Sequence, residues 1–469
     1  MRARATAAVL LGLVAGCAAP VPGPDPLEAG LLALRALSGR AKPDADPSTV
    51  DLLVAPDEAF LRALGADAIP ALERAVATVD RVLGPECGSR FRIGGATLFA
   101  STPDRGDDRR LLWEARLRLD RGGCDVVAAF TGQRCGERAG AAEPHLRLLL
   151  CADATDPERN LLHEACHLFG AQDYPRGHPG YVLASVMSYD SDQPRTLAID
   201  EPNLARIRAR RGALPEARPD AVAAALAAAG LDPRGAALLG GFLCAESRTG
   251  HAEGLAPAER LLAADPGDPV ALWIAGECRR VMKEHPTAAA LFTRCLKVVA
   301  ATESPDALAR HATLEIARLA VDGVDGLAPL RAAAEAALGS FRVDAEVLDL
   351  LASLRAREGD FGWAERRYRA AAAVDPSAVY PWKHIAALGK AWADPVLWLA
   401  GWRGAMAADP LDPLLGARWV EDGLKEYPEL IRSSDCRKDA LAALAAAERA
   451  FPGWFEPARL RAALGPARR

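Results

Sequence analysis

The stretch His163-Glu164-Ala165-Cys166-His167-Leu168-Phe169-Gly170-Ala171-Gln172-Asp173 decides how this chain is read. Asp156 and Pro157 open a helix ahead of it. The first suits an N-cap, and the second suits the first helical position, where its missing N–H costs nothing. On that helix His163 and His167 stand four residues apart, so both imidazoles share one face with Cβ atoms about 5–6 Å apart. That spacing lets both reach one zinc ion, with Glu164 beside the metal-bound water as general base. Gly170, three residues after His167, can take a left-handed conformation, end the helix and turn the chain back below the metal. Asp173 follows where a third ligand would be delivered, and carboxylate oxygen binds zinc at about 2.0–2.2 Å. His178 competes for that role; its simpler reading is an exposed loop histidine beside Pro179.

Downstream, Ser185-Val186-Met187-Ser188-Tyr189 sets Met187 20 residues after His167. HExxHxxGxxD followed by VMSY resembles the metzincin clan of zinc metallopeptidases. The usual motif ends in a third histidine, so Asp173 is a departure. The resemblance implies Asp173 as third ligand, Met187 as an apolar floor under the zinc, and Tyr189 as zinc ligand or oxyanion stabiliser. A tyrosine packed in the turn is the plainer reading of Tyr189. Cys166 reads as a small core residue on the flank of the ligand face. The resemblance also implies that residues about 138–143 form an edge strand to which an extended peptide adds. Residues 199–207 resemble the helix that closes a metzincin domain.

Hydrophobic patterning extends this reading to an α/β (α+β) domain over about 48–213, with a mixed twisted sheet and an active-site helix. Residues 50–54, 91–99, 125–130 and 146–150 read as strands, and 66–83 and 109–119 as helices. After about 219 only helical patterns remain, which predicts an all-α helical-repeat domain over 219–469. Asp265-Pro266, Asp375-Pro376 and Asp409-Pro410 each end an apolar helical run. Pro376 and Pro410 are 34 residues apart, the period of tetratricopeptide repeats. Residues 345–378 fit that repeat best, through Leu348, Leu351, Gly359, Ala364, Tyr368, Ala371 and Pro376. Residues 269–302 fit less well, through Leu272, Gly276, Ala288 and Phe292.

At the start, Arg2 and Arg4 precede an apolar run of about ten residues, too short to span a bilayer. The run ends in Leu13-Val14-Ala15-Gly16-Cys17, which resembles a bacterial lipobox. Residues 1–16 then form a lipoprotein signal peptide and Cys17 carries the lipid. Residues 17–47 are expected to be a proline-broken tether with a short helix over 27–37. Export anchors the protein in the cell envelope, at the outer membrane if the cell is Gram-negative. Nine further cysteines would enter an oxidising compartment where disulfides form, and their odd number leaves at least one without an intrachain partner. A net charge of −5 over 469 residues, with no basic stripe, implies no nucleic acid partner.

The leading expectation is a membrane-anchored zinc endopeptidase acting on protein or peptide substrates, its repeats recruiting substrate or partner. A second reading is a lipoprotein scaffold whose repeats bind a protein partner beside a vestigial metzincin domain. A third is a zinc hydrolase of another amide, such as a peptidoglycan cross-link.

Overall fold

The computed structural model describes residues 25–465 apart from 45, 103–106, 134–139, 153, 175–177, 189–195, 230–232 and 248. Cys17, Cys135 and Tyr189 lie outside the described residues, as does the signal segment.

Five strands form one sheet: β1 (Thr49–Pro56), β2 (Arg90–Ala96), β3 (Val126–Thr131), β4 (Gly140–Glu143) and β5 (Leu148–Ala152), in the order β2-β1-β3-β5-β4. All neighbours are parallel except β4, which runs antiparallel along β5 and forms one edge. The central strands are buried on both faces, as expected where helices cover a parallel sheet. Alternation divides their side chains. Leu52, Val54, Val126, Ala128, Phe130, Leu149 and Cys151 enter one core, while Leu53, Ala55, Val127, Ala129, Leu148 and Leu150 enter the other.

The first core is filled by α1 (Pro26–Arg40), α2 (Glu58–Leu64), α3 (Ala68–Val82) and α6 (Pro157–Leu168). Short α4 (Gly84–Cys87) follows α3, and α5 (Asp108–Arg118) supplies Leu111 and Ala115 to the second core. After α6 the chain runs through an irregular loop to α7 (Glu201–Ala209). Helix α1 lies inside the stretch read as tether. Its apolar positions recur at helical spacing, so Leu34 and Leu37 are buried in the first core and tie residues 26–40 to the folded body.

The remainder is helical: α8 (Ala221–Ala229), α9 (Pro233–Glu246), α10 (His251–Ala264), α11 (Pro269–Val281), α12 (His285–Ala300), α13 (Ala307–Asp322), α14 (Arg331–Leu338) and α15 (Ala345–Arg357). It continues with α16 (Phe361–Val374), α17 (Val379–Ala391), α18 (Pro395–Ala408), α19 (Pro413–Glu426), α20 (Pro428–Arg432), α21 (Ser434–Ala450) and α22 (Glu456–Leu464). Short connections make α11–α12, α15–α16 and α17–α18 closely packed pairs. Aspartates start many of these helices by capping their first N–H groups, as Asp268 and Asp394 do. Small residues set the packing distance. The Phe292 ring fills the space a side chain at Gly276 would occupy. At α17–α18 the backbones themselves approach, so a Cβ at Gly389 would collide with the main chain of Trp398. No helix among the described residues is long and apolar enough to cross a membrane. The eight described cysteines are buried and unbridged.

Both ends of the helical array return to the α/β body. At one end Trp113 of α5 joins the core of the array, 5.0 Å from Phe242 edge-on, and donates through Nε1 to Glu246 at 3.3 Å. At the other, Leu414 and Phe451 sink into the first core, and Arg206 pairs with Asp409 at 3.0 Å. The Gly389→Val substitution should lower the urea midpoint, corresponding to a loss of about 1–3 kcal/mol, measured by circular dichroism.

Candidate metal centre

Helix α6 is the platform. The Asp156 carboxylate accepts from Arg159 N and caps it, and Pro157 occupies its first turn. The Asn160 amide donates to Ala152 O at 2.8 Å, which locks the helix to the end of β5. His163 and Glu164 are buried on the face this creates.

Each imidazole is oriented by a carbonyl. His163 Nδ1 lies 2.9 Å from Val186 O, and His167 Nδ1 lies 2.9 Å from Ala171 O. A carbonyl only accepts, so each Nδ1 carries a proton, which leaves Nε2 as the atom that would offer a lone pair outward. Gly170 takes φ +81° just past the helix, a left-handed conformation that favours glycine, with the Arg210 guanidinium packed over it. The chain then doubles back and brings Asp173 to the pair. Asp173 Oδ1 lies 3.1 Å from His163 Nε2 and 3.2 Å from His167 Nε2, and the two nitrogens are 3.3 Å apart.

Three acceptor atoms thus face one another. Asp173 Oδ1 is buried and accepts no well-formed hydrogen bond. The arrangement is repulsive unless a positive charge sits among the three atoms. Protons supply one such charge. Burial alone would lower the His167 pKa, but the Asp173 carboxylate 3.2 Å away and the charge of Glu164 lift it to about 9. Burial alone would raise the Asp173 carboxyl, and the two imidazoles hold it far below its usual range instead. A metal cation fits the same spacing. Corners of a tetrahedron with bonds of about 2.0–2.1 Å lie about 3.3 Å apart. His163, Glu164 and His167 also form the metal-competent group of side chains among the described residues. Glu164 Oε1 stands 3.9 Å from His163 Nε2, beside the three-atom cluster rather than within it.

The turn at 185–188 closes the site from below. Met187 is fully buried, in the same core as Leu162, Cys166 and Tyr174. Arg159 Nη2 donates to Ser188 O at 2.9 Å, and Tyr174 N to Met187 O at 3.0 Å. His178 is engaged elsewhere. Its Nδ1 accepts from Gly180 N at 2.9 Å, and its ring stacks on Tyr174 at 4.6 Å with Phe451 edge-on to both.

Sequence reasoning missed the residues that hold the ligand loop. Asp200, the N-cap of α7, accepts from Tyr174 Oη and Ser185 Oγ, each at 2.6 Å. Asn203 clamps the main chain of Gln172 from both sides, accepting from its N at 2.7 Å and donating to its O at 3.2 Å. The capping pattern Asp200-Glu201-Pro202-Asn203 was visible, but nothing local shows that its side chains are shared with a loop 15 to 31 residues earlier.

The centre opens into a cleft of about 1590 Å³, lined by Gly140 to Ala142 of β4, by Glu164, His167 and Asp173, and by the connection after α7. Ser377 of the helical array also reaches it. Gly140 packs against the Glu164 carboxylate: a side chain there would collide with Glu164 Oε1 and Leu150 O.

No family model and no curated protein matches the chain. Among solved structures, PilW, described as a widely conserved type IV pilus biogenesis factor, aligns at a TM-score of 0.32 and 16% identity. The alignment covers 45% of this chain and 90% of that chain. A likeness at that score carries no functional inference.

Substituting His163→Ala or Asp173→Ala should abolish stoichiometric divalent-metal retention after dialysis, whereas His178→Ala should keep it; elemental analysis of the folded proteins checks this.

Proposed function

We propose that this chain is a zinc-dependent peptidase of metzincin type, exported as a lipoprotein and anchored through Cys17, with tetratricopeptide-like repeats that recruit substrate or a protein partner. One observation carries the enzymatic part. Two imidazole nitrogens and a carboxylate oxygen converge at 3.1–3.3 Å, beside a buried glutamate, on a cleft bordered by the edge strand β4. His163, His167 and Asp173 would hold the metal, and the fourth position would face the cleft. A zinc ion in that position lowers the pKa of its water and polarises a scissile carbonyl.

The chain's own groups do the remaining work. Glu164 Oε1 takes the proton of the attacking water and returns it to the leaving amine nitrogen. The carbonyls of Val186 and Ala171 keep both imidazoles in the ligating tautomer. The free edge of β4 offers main-chain hydrogen bonds that align an extended peptide across Glu164. Buried apolar walls below the turn at Met187 keep water from the far side of the site.

The scaffold reading has its own support in the stacked helix pairs, whose successive cores hold an extended surface of the kind that can display a partner-binding face. The two readings differ over turnover. Glu164→Gln should leave zinc bound at one equivalent and reduce peptide hydrolysis by at least about a thousandfold, followed by mass spectrometry of an unfolded protein substrate. Equal rates for the variant and the native chain would exclude the enzymatic reading.

A further inference from the structure

The connection over 213–220 joins α7 to α8 without regular secondary structure and forms one wall of the cleft. It is fastened at three places near the far end of β4. Arg147 Nε donates to Pro215 O at 2.9 Å, and Arg218 N donates to His145 O at 2.8 Å. Asp220 accepts from Arg116 Nε at 2.6 Å, and the same guanidinium lies 3.5 Å from Glu143, the last residue of β4. All three charged groups are largely shielded from water, and Arg116 also stacks on Trp113 at 3.5 Å. Such shielding weakens screening by salt. The connection is therefore a strap, tied down where β4 ends.

The strap limits the cleft on one side. Glu164 meets β4 at Gly140, and the strap reaches the upper rim at His145. At about 3.3 Å per residue, Gly140 to Glu143 offers about 10 Å, room for about three or four added residues. An antiparallel addition to β4 forms the more stable ladder. A peptide added that way runs opposite to β4, so its amino-terminal end points at Glu143 and the strap. Glu216, on the strap, lines this part of the cleft and has no cationic partner among the described residues. Arg218 lines the cleft too without pairing with Glu216, so the Glu216 carboxylate stays open to a cation brought by a ligand.

We infer that the site takes peptides by their amino terminus: the α-ammonium group meets Glu216, and the bond cut lies after about the third or fourth residue. This rests on the peptidase reading and narrows it from cleavage within chains to trimming of their amino ends.

The test uses the full-length, zinc-loaded protein and a nested set of peptides sharing one sequence, with zero to ten residues added at the amino terminus. Mass spectrometry should show the cut moving with the amino terminus in every peptide. Acetylating the terminal amine should raise KM about tenfold, the scale of one charge-assisted hydrogen bond, and Glu216→Gln should erase that difference. Calorimetry on the Glu164→Gln protein gives a readout independent of turnover: free-amine peptides should bind about tenfold more tightly than acetylated ones. Cleavage fixed at one internal sequence, or equal binding of free and acetylated peptides, overturns the inference and leaves the peptidase reading standing. If no peptide is cut at all, both fall together.

Discussion

Mutual repulsion among three lone pairs is the constraint around which the α/β body is organised. His163 Nε2, His167 Nε2 and Asp173 Oδ1 lie within 3.1–3.3 Å of one another, where neutral rings and a carboxylate would set three lone pairs face to face. Left alone, such a cluster would fly apart or soak up protons, so it persists only if the surroundings over-determine it. They do. Helix α6 is pinned to β5 by Asn160, the imidazoles are pinned to two carbonyls, and the ligand loop is pinned by Asp200 and Asn203. Most polar groups near the site serve that restraint. The energy that would spread the three acceptors is held in check by hydrogen bonds reaching in from the start of a helix nearly 30 residues downstream.

This arrangement explains what could be read from the sequence and what could not. The strands at 50–54 and 125–130 and the helix from Pro157 announced themselves through local periodicity and capping, which need no knowledge of the fold. The pair His163–His167 was legible for the same reason, because helical spacing alone sets their separation. The approach of Asp173 was inferable only through Gly170 and a resemblance, since a loop's path depends on what it packs against. The short helix expected over 27–37 forms as α1, but its docking was not legible in a stretch read as a proline-broken tether, because its burial depends on partners in α2 and α3 that arrive later in the chain. The roles of Asp200, Asn203 and Gly140 are wholly tertiary. Their contacts join residues from separate elements, and no window of sequence contains both partners.

The helical array shows the same division. Repeating Asp-Pro boundaries marked the ends of α10, α16 and α18 in advance. Its irregular members, such as short α14 and α20, follow from local departures that blur the period. What the repeat pattern does not encode is where the array begins and stops relative to the sheet. That is decided by single aromatic residues, Trp113 at one end and Phe451 at the other, each buried in a core formed mainly by the other part of the chain.

A stack of helix pairs with free ends behaves like a spring, lengthening and coiling as its units slip past one another. Here both ends are moored to one body, through Trp113–Phe242 and through Phe451 against the Tyr174–His178 stack. The array is therefore an arch with a fixed span rather than a spring. Its inner curvature cannot widen to suit a bulky visitor unless one mooring lets go. The mooring at Phe451 bears on Tyr174, the residue after Asp173, so any load carried by the arch ends beside the His163–His167–Asp173 cluster.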